Sequence, residues 1–179
     1  MAFGKYCYYG CWCFVDGSDN LQTGYGKPRD NIDEACMAFS KCYRCLAMDY
    51  PTFDETLRYN FDMDEDDNGQ KSINCNDASG TMKRNLCECD KELALELAEH
   101  ENEWNVQYHE RQSDFDRKKE CFTPLNQKWE VDQCCGTYPA RYPYSSHQGV
   151  RDCCGSKIYS KEYSQCCSDG SIQDANDTC

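Results

Sequence analysis

Residues 33–43 read DEACMAFSKCY and lie within the stretch that decides the fold. Apolar residues recur around them at the three- to four-residue spacing of an amphipathic helix, which predicts a helix over residues 30–49. Asp30 or Asn31 is suited to cap its first turn, because a short polar side chain accepts hydrogen bonds from exposed N–H groups. The predicted buried stripe consists of Ile32, Cys36, Phe39, Cys42, Tyr43 and Leu46.

A second, longer helix is predicted over residues 83–112 from the same periodicity. One side of it carries Leu86, Cys89, Asp90, Leu93, Leu97, Trp104 and Tyr108. Between the two helices, residues 57–75 (LRYNFDMDEDDNGQKSINC) predict a β-hairpin, because Asn68-Gly69 is a favoured tight-turn pair.

The cysteine content indicates a disulfide framework made in an oxidising compartment. The chain has 179 residues and 17 cysteines, and this density is typical of secreted proteins. Cys11/Cys13 and Cys87/Cys89 have one residue between them, whereas zinc sites prefer two to four. Seventeen is an odd number, so at least one thiol is either free or bonded to another chain.

The formal net charge is −13, with 19 basic and 32 acidic residues. Nucleic acid is excluded as a partner because phosphate binding needs a positive field, and the same charge disfavours anionic membranes. No apolar run reaches membrane-spanning length, and the first residues lack the apolar core of a signal peptide. We therefore expect a secreted, extracellular chain in its mature form.

The composition changes near residue 121, which predicts two domains, residues 1–120 and 121–179. The first contains most of the charge and both predicted helices, and the second has adjacent Cys-Cys pairs at 134/135, 153/154 and 166/167. A short polar segment buries too little apolar area to fold alone, so disulfides must hold it. The expected fold is mainly α and disulfide-rich: two antiparallel helices with a β-hairpin wing, followed by a small irregular or β module.

Three cysteine-containing motifs follow one another along the chain. They are Tyr9-Gly10-Cys11-x-Cys13, then Asp33, Cys36 and Cys42-Tyr43 on the first helix, then Cys87-x-Cys89-Asp90 on the second. Together they resemble the secreted phospholipase A2 family over roughly residues 5–110. The resemblance implies that Cys11 bonds toward the C-terminal half. It further implies the disulfides Cys13–Cys36, Cys42–Cys89 and Cys75–Cys87.

The same resemblance places the family's catalytic histidine at Phe39 and its calcium-binding aspartate at Ser40. Two glycines of the calcium loop correspond to Phe14 and Asp16, and only Gly17 is kept. Phenylalanine has no titrating group and cannot act as a general base. We therefore expect no catalysis and no required cofactor.

The resemblance also implies that Tyr43 and Asp90 persist as a buried hydrogen bond with no histidine left to orient. One family disulfide is absent, because its two positions correspond to Ala35 and Glu96. The loss of both partners together supports the alignment.

A separate candidate site lies in the hairpin. Asp64, Asp66 and Asn68, followed by Gly69, have the order of the first half of an EF-hand loop, and Asp62 lies just outside it. Their oxygens are ligands of the kind that calcium prefers. Cys75 occupies the position at which an EF-hand loop has its closing glutamate. The alternatives are a low-affinity calcium site and a solvated acidic tip.

Further candidate sites lie outside these motifs. Asn176 begins a glycosylation sequon. Tyr138, Tyr142 and Tyr144 form either an aromatic contact surface or the packing around the disulfides. His100 and Glu103 belong to either a metal site or a solvated helix face. The spaced Cys-Cys pairs resemble the modules of galaxin-like matrix proteins.

The sequence therefore favours a non-catalytic, secreted structural protein of an extracellular matrix or fibre, associated with calcium or mineral. Its expected partners are further copies of itself or other matrix proteins, joined through an intermolecular disulfide. The alternative is a non-enzymatic binding module or toxin-like ligand of a membrane, lipid or receptor.

Overall fold

The computed structural model describes residues 3–15, 21–67, 69, 71–122 and 130–179. Its first long helix, α1, spans Asn31–Asp49, and the side chain of Asp30 caps it by accepting from the N–H of Asp33. The predicted apolar stripe is buried along the whole helix. The N-cap and the periodicity of the sequence therefore fixed this helix to within one residue of its predicted start.

The second long helix, α2, spans Met82–Glu99, with Thr81 as its N-cap. Our prediction that it continues to residue 112 is wrong. Two short 3₁₀ turns follow instead, at Glu101–Glu103 and Val106–Tyr108. The physical reason lies in the acidic run at its end, because negative side chains are unfavourable at the negative end of a helix dipole.

The core lies between α1 and α2 and under the N-terminal segment, which begins with a 3₁₀ turn at Phe3–Tyr6. Tyr6 and Tyr9 of that segment are fully buried. The segment is held against the turns after α2, because Gly10 N–H donates to the Tyr108 carbonyl at 2.8 Å and Glu110 N–H donates to the Tyr8 carbonyl at 3.0 Å.

The hairpin wing consists of β1, Phe61–Glu65, and β2, Lys71–Cys75. The strands pair antiparallel, with Asp62 opposite Asn74 and Asp64 opposite Ser72. Nearly every side chain of the wing is exposed, and Cys75 is buried at its base. Asn68, the first residue of the expected turn pair, lies outside the described residues.

Disulfides join the wing and the N-terminal segment to the two long helices, and another joins the N-terminal segment to the end of a short helix, α3 (Arg117–Glu120). Cys11 bonds to Cys121 at the end of α3, in the direction that the resemblance implied. The structure also contains the three pairs that the resemblance named: Cys13–Cys36, Cys42–Cys89 and Cys75–Cys87.

The C-terminal part is built from three small antiparallel hairpins. Their strands are β3 Gln133–Cys135 with β4 Tyr142–Tyr144, β5 Arg151–Cys154 with β6 Lys157–Ser160, and β7 Ser164–Cys166 with β8 Ile172–Asp174.

The adjacent cysteines connect these hairpins in series. In each pair the first cysteine bonds backward along the chain and the second bonds forward. The bridges are Cys45–Cys134, Cys135–Cys153, Cys154–Cys166 and Cys167–Cys179. The first of them fastens the series to α1.

The first hairpin also packs against the end of α1. Asp49 accepts from Arg141 Nε at 2.5 Å and from the Tyr138 hydroxyl at 2.8 Å. Two helices, a hairpin wing and a disulfide-linked β tail confirm the expected fold class. Among the described residues, no helix combines the length and the apolar character that a bilayer crossing requires.

Candidate functional site

The centre of α1 faces inward and is occupied by Phe39, whose side chain is buried. Its ring centroid lies 4.3 Å from that of Tyr43, one turn further along the helix. It lies 5.8 Å from that of Phe14, which belongs to the N-terminal loop. At the position where the resemblance places a proton-transferring group, three aromatic rings therefore pack together.

Behind these rings, a half-buried carboxylate on α2 accepts two short hydrogen bonds. The Tyr43 hydroxyl donates to Asp90 Oδ1 at 2.6 Å, and the Tyr59 hydroxyl donates to Asp90 Oδ2 at 2.5 Å. Burial raises the pKa of Asp90, and the two phenolic donors oppose that shift because they favour the charged form. The network holds both helices and the segment before the wing in register.

The groups available for calcium at this site do not fit the ion. The Ser40 hydroxyl is buried and donates to the Thr23 carbonyl at 3.3 Å. Phe14, at the first of the two loop positions, adopts a left-handed backbone with a φ of 46° and has a buried ring. Calcium requires six to eight oxygen ligands, and the described loop offers no carboxylate here. Asp16 and Gly17 lie outside the described residues.

A second carboxylate, that of the buried Asp33, organises the loop that precedes Phe14. It accepts from the backbone N–H groups of Cys11 and Trp12 at 2.8 Å and from that of Arg29 at 2.9 Å. Burial raises the pKa of Asp33 to about 6, although these donors oppose the shift. Gly10 must lack a side chain, because a Cβ there would lie 2.3 Å from the Asp33 carboxyl carbon.

The acidic residues proposed for calcium lie on and just beyond the exposed wing. Asp62 accepts from the Asn76 side chain at 2.7 Å, and Asp64 accepts from that of Asn74 at 2.9 Å. Asp66 follows β1, and Asn68 is outside the described residues. Within the described ranges, no three His, Cys, Asp or Glu side chains approach one another closely enough to hold a metal ion.

His100 follows α2, and His109 follows the second 3₁₀ turn. His100 Nδ1 lies 2.7 Å from Glu103 Oε1, so the sequence correctly placed these two residues together, although in a 3₁₀ turn rather than on a continuous helix. The Glu103 carboxylate raises the pKa of the exposed His100. His109 is buried, and its Nδ1 accepts from the Arg111 N–H.

The tyrosines of the tail are used within the protein. Tyr138 bonds to Asp49, Tyr142 donates to the Ser156 carbonyl at 3.0 Å, and Tyr144 is buried. Packing, rather than an open aromatic surface, is therefore the role of these three rings. Asn176 is exposed, and its amide donates to Asp174 at 3.1 Å.

Sequence reasoning missed two contributors to this site. Tyr59, the second donor to Asp90, precedes the wing at a position that no spacing rule marks. The anchoring role of Asp33 was also missed, although the charge is followed by an apolar stripe, and a charged residue at the start of such a stripe signals a buried contact.

The chain was compared with known proteins. A family model described as Phospholipase A2 matches residues 1–109. The basic phospholipase A2 beta-bungarotoxin A2 chain of Bungarus multicinctus is 29% identical over 120 residues, which cover 67% of this chain and 70% of the relative. The corresponding A-AL2 chain of the same snake is 30% identical, over 67% of this chain and 77% of its own.

A further relative is the basic phospholipase A2 homolog 2 of Bothrops asper. It is 35% identical over 104 residues, which cover 58% of this chain and 64% of that protein. Residues 1–109, which the family model matches, contain both long helices, the wing and the Phe39 site. By its motifs, its disulfides and these similarities, the chain belongs to the phospholipase A2 family.

Proposed function

We propose that this protein is a catalytically inactive phospholipase A2 family member that serves outside the cell as a disulfide-linked structural building block. The observation that carries the first half of the proposal is the Phe39 site. The ring occupies the position of the family's base, and both oxygens of Asp90 are already bonded to tyrosines.

Hydrolysis by this family's chemistry needs a group that removes a proton from water and a cation that stabilises the oxyanion. Phe39 supplies no titrating atom, and the Ser40 hydroxyl donates to a backbone carbonyl. At these two described positions, neither half of the reaction therefore has a side chain to perform it.

The test is release of fatty acid from phosphatidylcholine vesicles in millimolar calcium. We expect the rate to equal that of the Phe39→Ala variant and of buffer. Calcium-dependent hydrolysis by the wild type above the buffer rate, with the disulfides intact by mass spectrometry, would refute the inactive-enzyme proposal.

The structural role is supported by the cysteines. All 17 cysteines lie within the described ranges. Among these ranges eight disulfides form, and the half-buried Cys7 is the one cysteine outside a disulfide. Disulfides at this density form and persist in oxidising surroundings. Cys7 supplies the thiol for a bond between copies or to another matrix protein.

Electrophoresis of native material with and without reductant tests this assembly. We expect disulfide-linked oligomers that collapse on reduction and that are absent in Cys7→Ser. A native monomer with a free Cys7 thiol would contradict covalent assembly but would leave the inactive-enzyme proposal unaffected.

Calcium or mineral association through the wing belongs to the same proposal. Asp62 and Asp64 project from an exposed strand, so weak binding is expected rather than a closed site. Calcium titration followed by amide NMR shifts should affect the wing first, and the shifts should be absent in Asp62→Asn/Asp64→Asn.

The second candidate function is a non-enzymatic binding ligand. It is favoured by one observation, an open cleft between the two long helices that includes Phe39 in its lining. Several relatives are chains of a toxin by their printed names.

A further inference from the structure

A cleft of about 290 Å³ lies between α1 and α2. Its floor is apolar, since the buried side chains of Ala35, Phe39 and Leu93 line it together with the Cys42–Cys89 disulfide. Ala35 and Glu96 line it at the two positions that the family joins by a disulfide. Without that bridge, the two helices leave the space between them open.

The rim of the cleft is acidic. Glu34 contributes from α1, and Glu92 and Glu96 contribute from α2. Glu96 lies 3.7 Å from His100 Nε2, whereas the side chains of Glu34 and Glu92 form no ion pair with any residue that the structure describes. Burial lowers the pKa of Lys41, further along α1, and the charge of Glu34 opposes that shift.

We propose that this cleft is a docking site for a basic amphipathic peptide segment of a partner protein. An apolar floor takes an aliphatic or aromatic side chain, and an acidic rim takes lysine or arginine on either side of it. The lining of α1 runs from Asn31 to Cys42, which is roughly 16 Å of helix. That length matches two to three turns of a bound helix.

The volume and the charge argue against a lipid in the same place. The cleft is at the lower limit of small-molecule pockets, which span about 300–1,000 Å³. Its carboxylates repel the carboxylate of a fatty acid and the phosphate of a phospholipid. A partner's side chains need only part of such a volume, because the rest of the peptide remains on the surface.

Pro139 of the first tail hairpin also lines the cleft. The C-terminal part therefore contributes one residue to a surface that α1 and α2 otherwise form. This inference goes beyond the building-block proposal and does not depend on it, since the cleft is present in a single copy.

Binding is tested by fluorescence anisotropy with a labelled 14-residue leucine–lysine amphipathic peptide, in EDTA and at physiological ionic strength. A leucine–glutamate peptide of the same length is the ligand control. Glu34→Gln/Glu92→Gln/Glu96→Gln should weaken binding about tenfold or more, equivalent to about 1.4 kcal/mol.

The matched variant Glu65→Gln/Asp67→Asn/Glu162→Gln removes the same charge from exposed positions outside the cleft and should change the affinity less than threefold. Ala38→Trp fills the cleft from an exposed position of its lining and should abolish binding, whereas Ala94→Trp, on the exposed face of α2, should not. Circular dichroism and disulfide mapping verify that each variant is folded.

Equal weakening by both charge variants would show general attraction to a protein of net charge −13 and would overturn the proposal. Undiminished binding in Ala38→Trp would also overturn it. So would occupation of the cleft by anionic vesicles, or by a second copy in sedimentation experiments.

Discussion

The Tyr43 hydroxyl donates a 2.6 Å hydrogen bond to Asp90 and thereby joins the middle of α1 to the middle of α2. Burial raises the pKa of Asp90, and removing one partner of a hydrogen bond to such a group costs about 1–3 kcal/mol. We expect Tyr43→Phe to lower the free energy of unfolding by that amount in guanidinium titrations. Tyr142→Phe, which loses a hydroxyl bonded near the surface, should cost less than about 0.5 kcal/mol.

We expect Phe39 to stabilise the fold by packing in the core. Phe39→Ala removes ring contacts to Phe14 and Tyr43 and leaves a cavity, so a loss of about 3–5 kcal/mol is expected. The matched change Phe61→Ala, at a side chain that is 47% exposed, should cost much less. Similar losses for the two variants would contradict a buried role for Phe39.

Asp33 should make stability depend on pH. Its pKa is raised from 3.8 to about 6 because it is buried, so the folded state holds a proton that the unfolded state releases. The resulting stability is full below about pH 3.8 and is lost as the pH rises through about 6. It amounts to roughly 3 kcal/mol at about 1.4 kcal/mol per pKa unit.

The measurement is unfolding at a series of pH values for the wild type and Asp33→Asn, which lacks this titration. The wild type alone should lose stability between pH 4 and 7. A carbon NMR titration of the Asp33 carboxyl with a midpoint below 4.5 would exclude the effect.

The serial disulfides predict graded protease sensitivity in the tail. The double variant Cys135→Ser/Cys153→Ser should expose the first and second hairpins to trypsin, since Arg151 and Lys157 lie in the freed region. Cys167→Ser/Cys179→Ser should add no tryptic cleavage within the last hairpin, because no Lys or Arg follows Lys161. Mass spectrometry of the fragments should find α1 and α2 intact in both variants.

The sequence predicted the parts of this fold that rest on local rules. The stripe around Phe39 and the cap at Asp30 predicted α1, and the Asn68-Gly69 pair predicted the hairpin of the wing. The end of α2 was placed too late, because Trp104 and Tyr108 continue the apolar periodicity while the acidic residues before Trp104 end the helix.

The disulfides between distant cysteines could not be predicted from the residues alone, because too many pairings are possible. Eight cysteines already allow 105 pairings, so the bridge from Cys45 to Cys134 had no local signal. The cleft was also missed, since it results from small side chains at Ala35 and Ala38 facing α2, and small residues are common on helices.

The adjacent cysteine pairs give the tail a covalent path from end to end that is much shorter than its backbone. From Cys45 to Cys179 the shortest bonded route passes through four disulfides and the single peptide bonds within Cys134-Cys135, Cys153-Cys154 and Cys166-Cys167. A pull applied between the helical part and the last residue is therefore borne by sulfur–sulfur bonds and not by the hairpins. The tail cannot lengthen by unravelling its strands, so it behaves under tension as an inextensible tether.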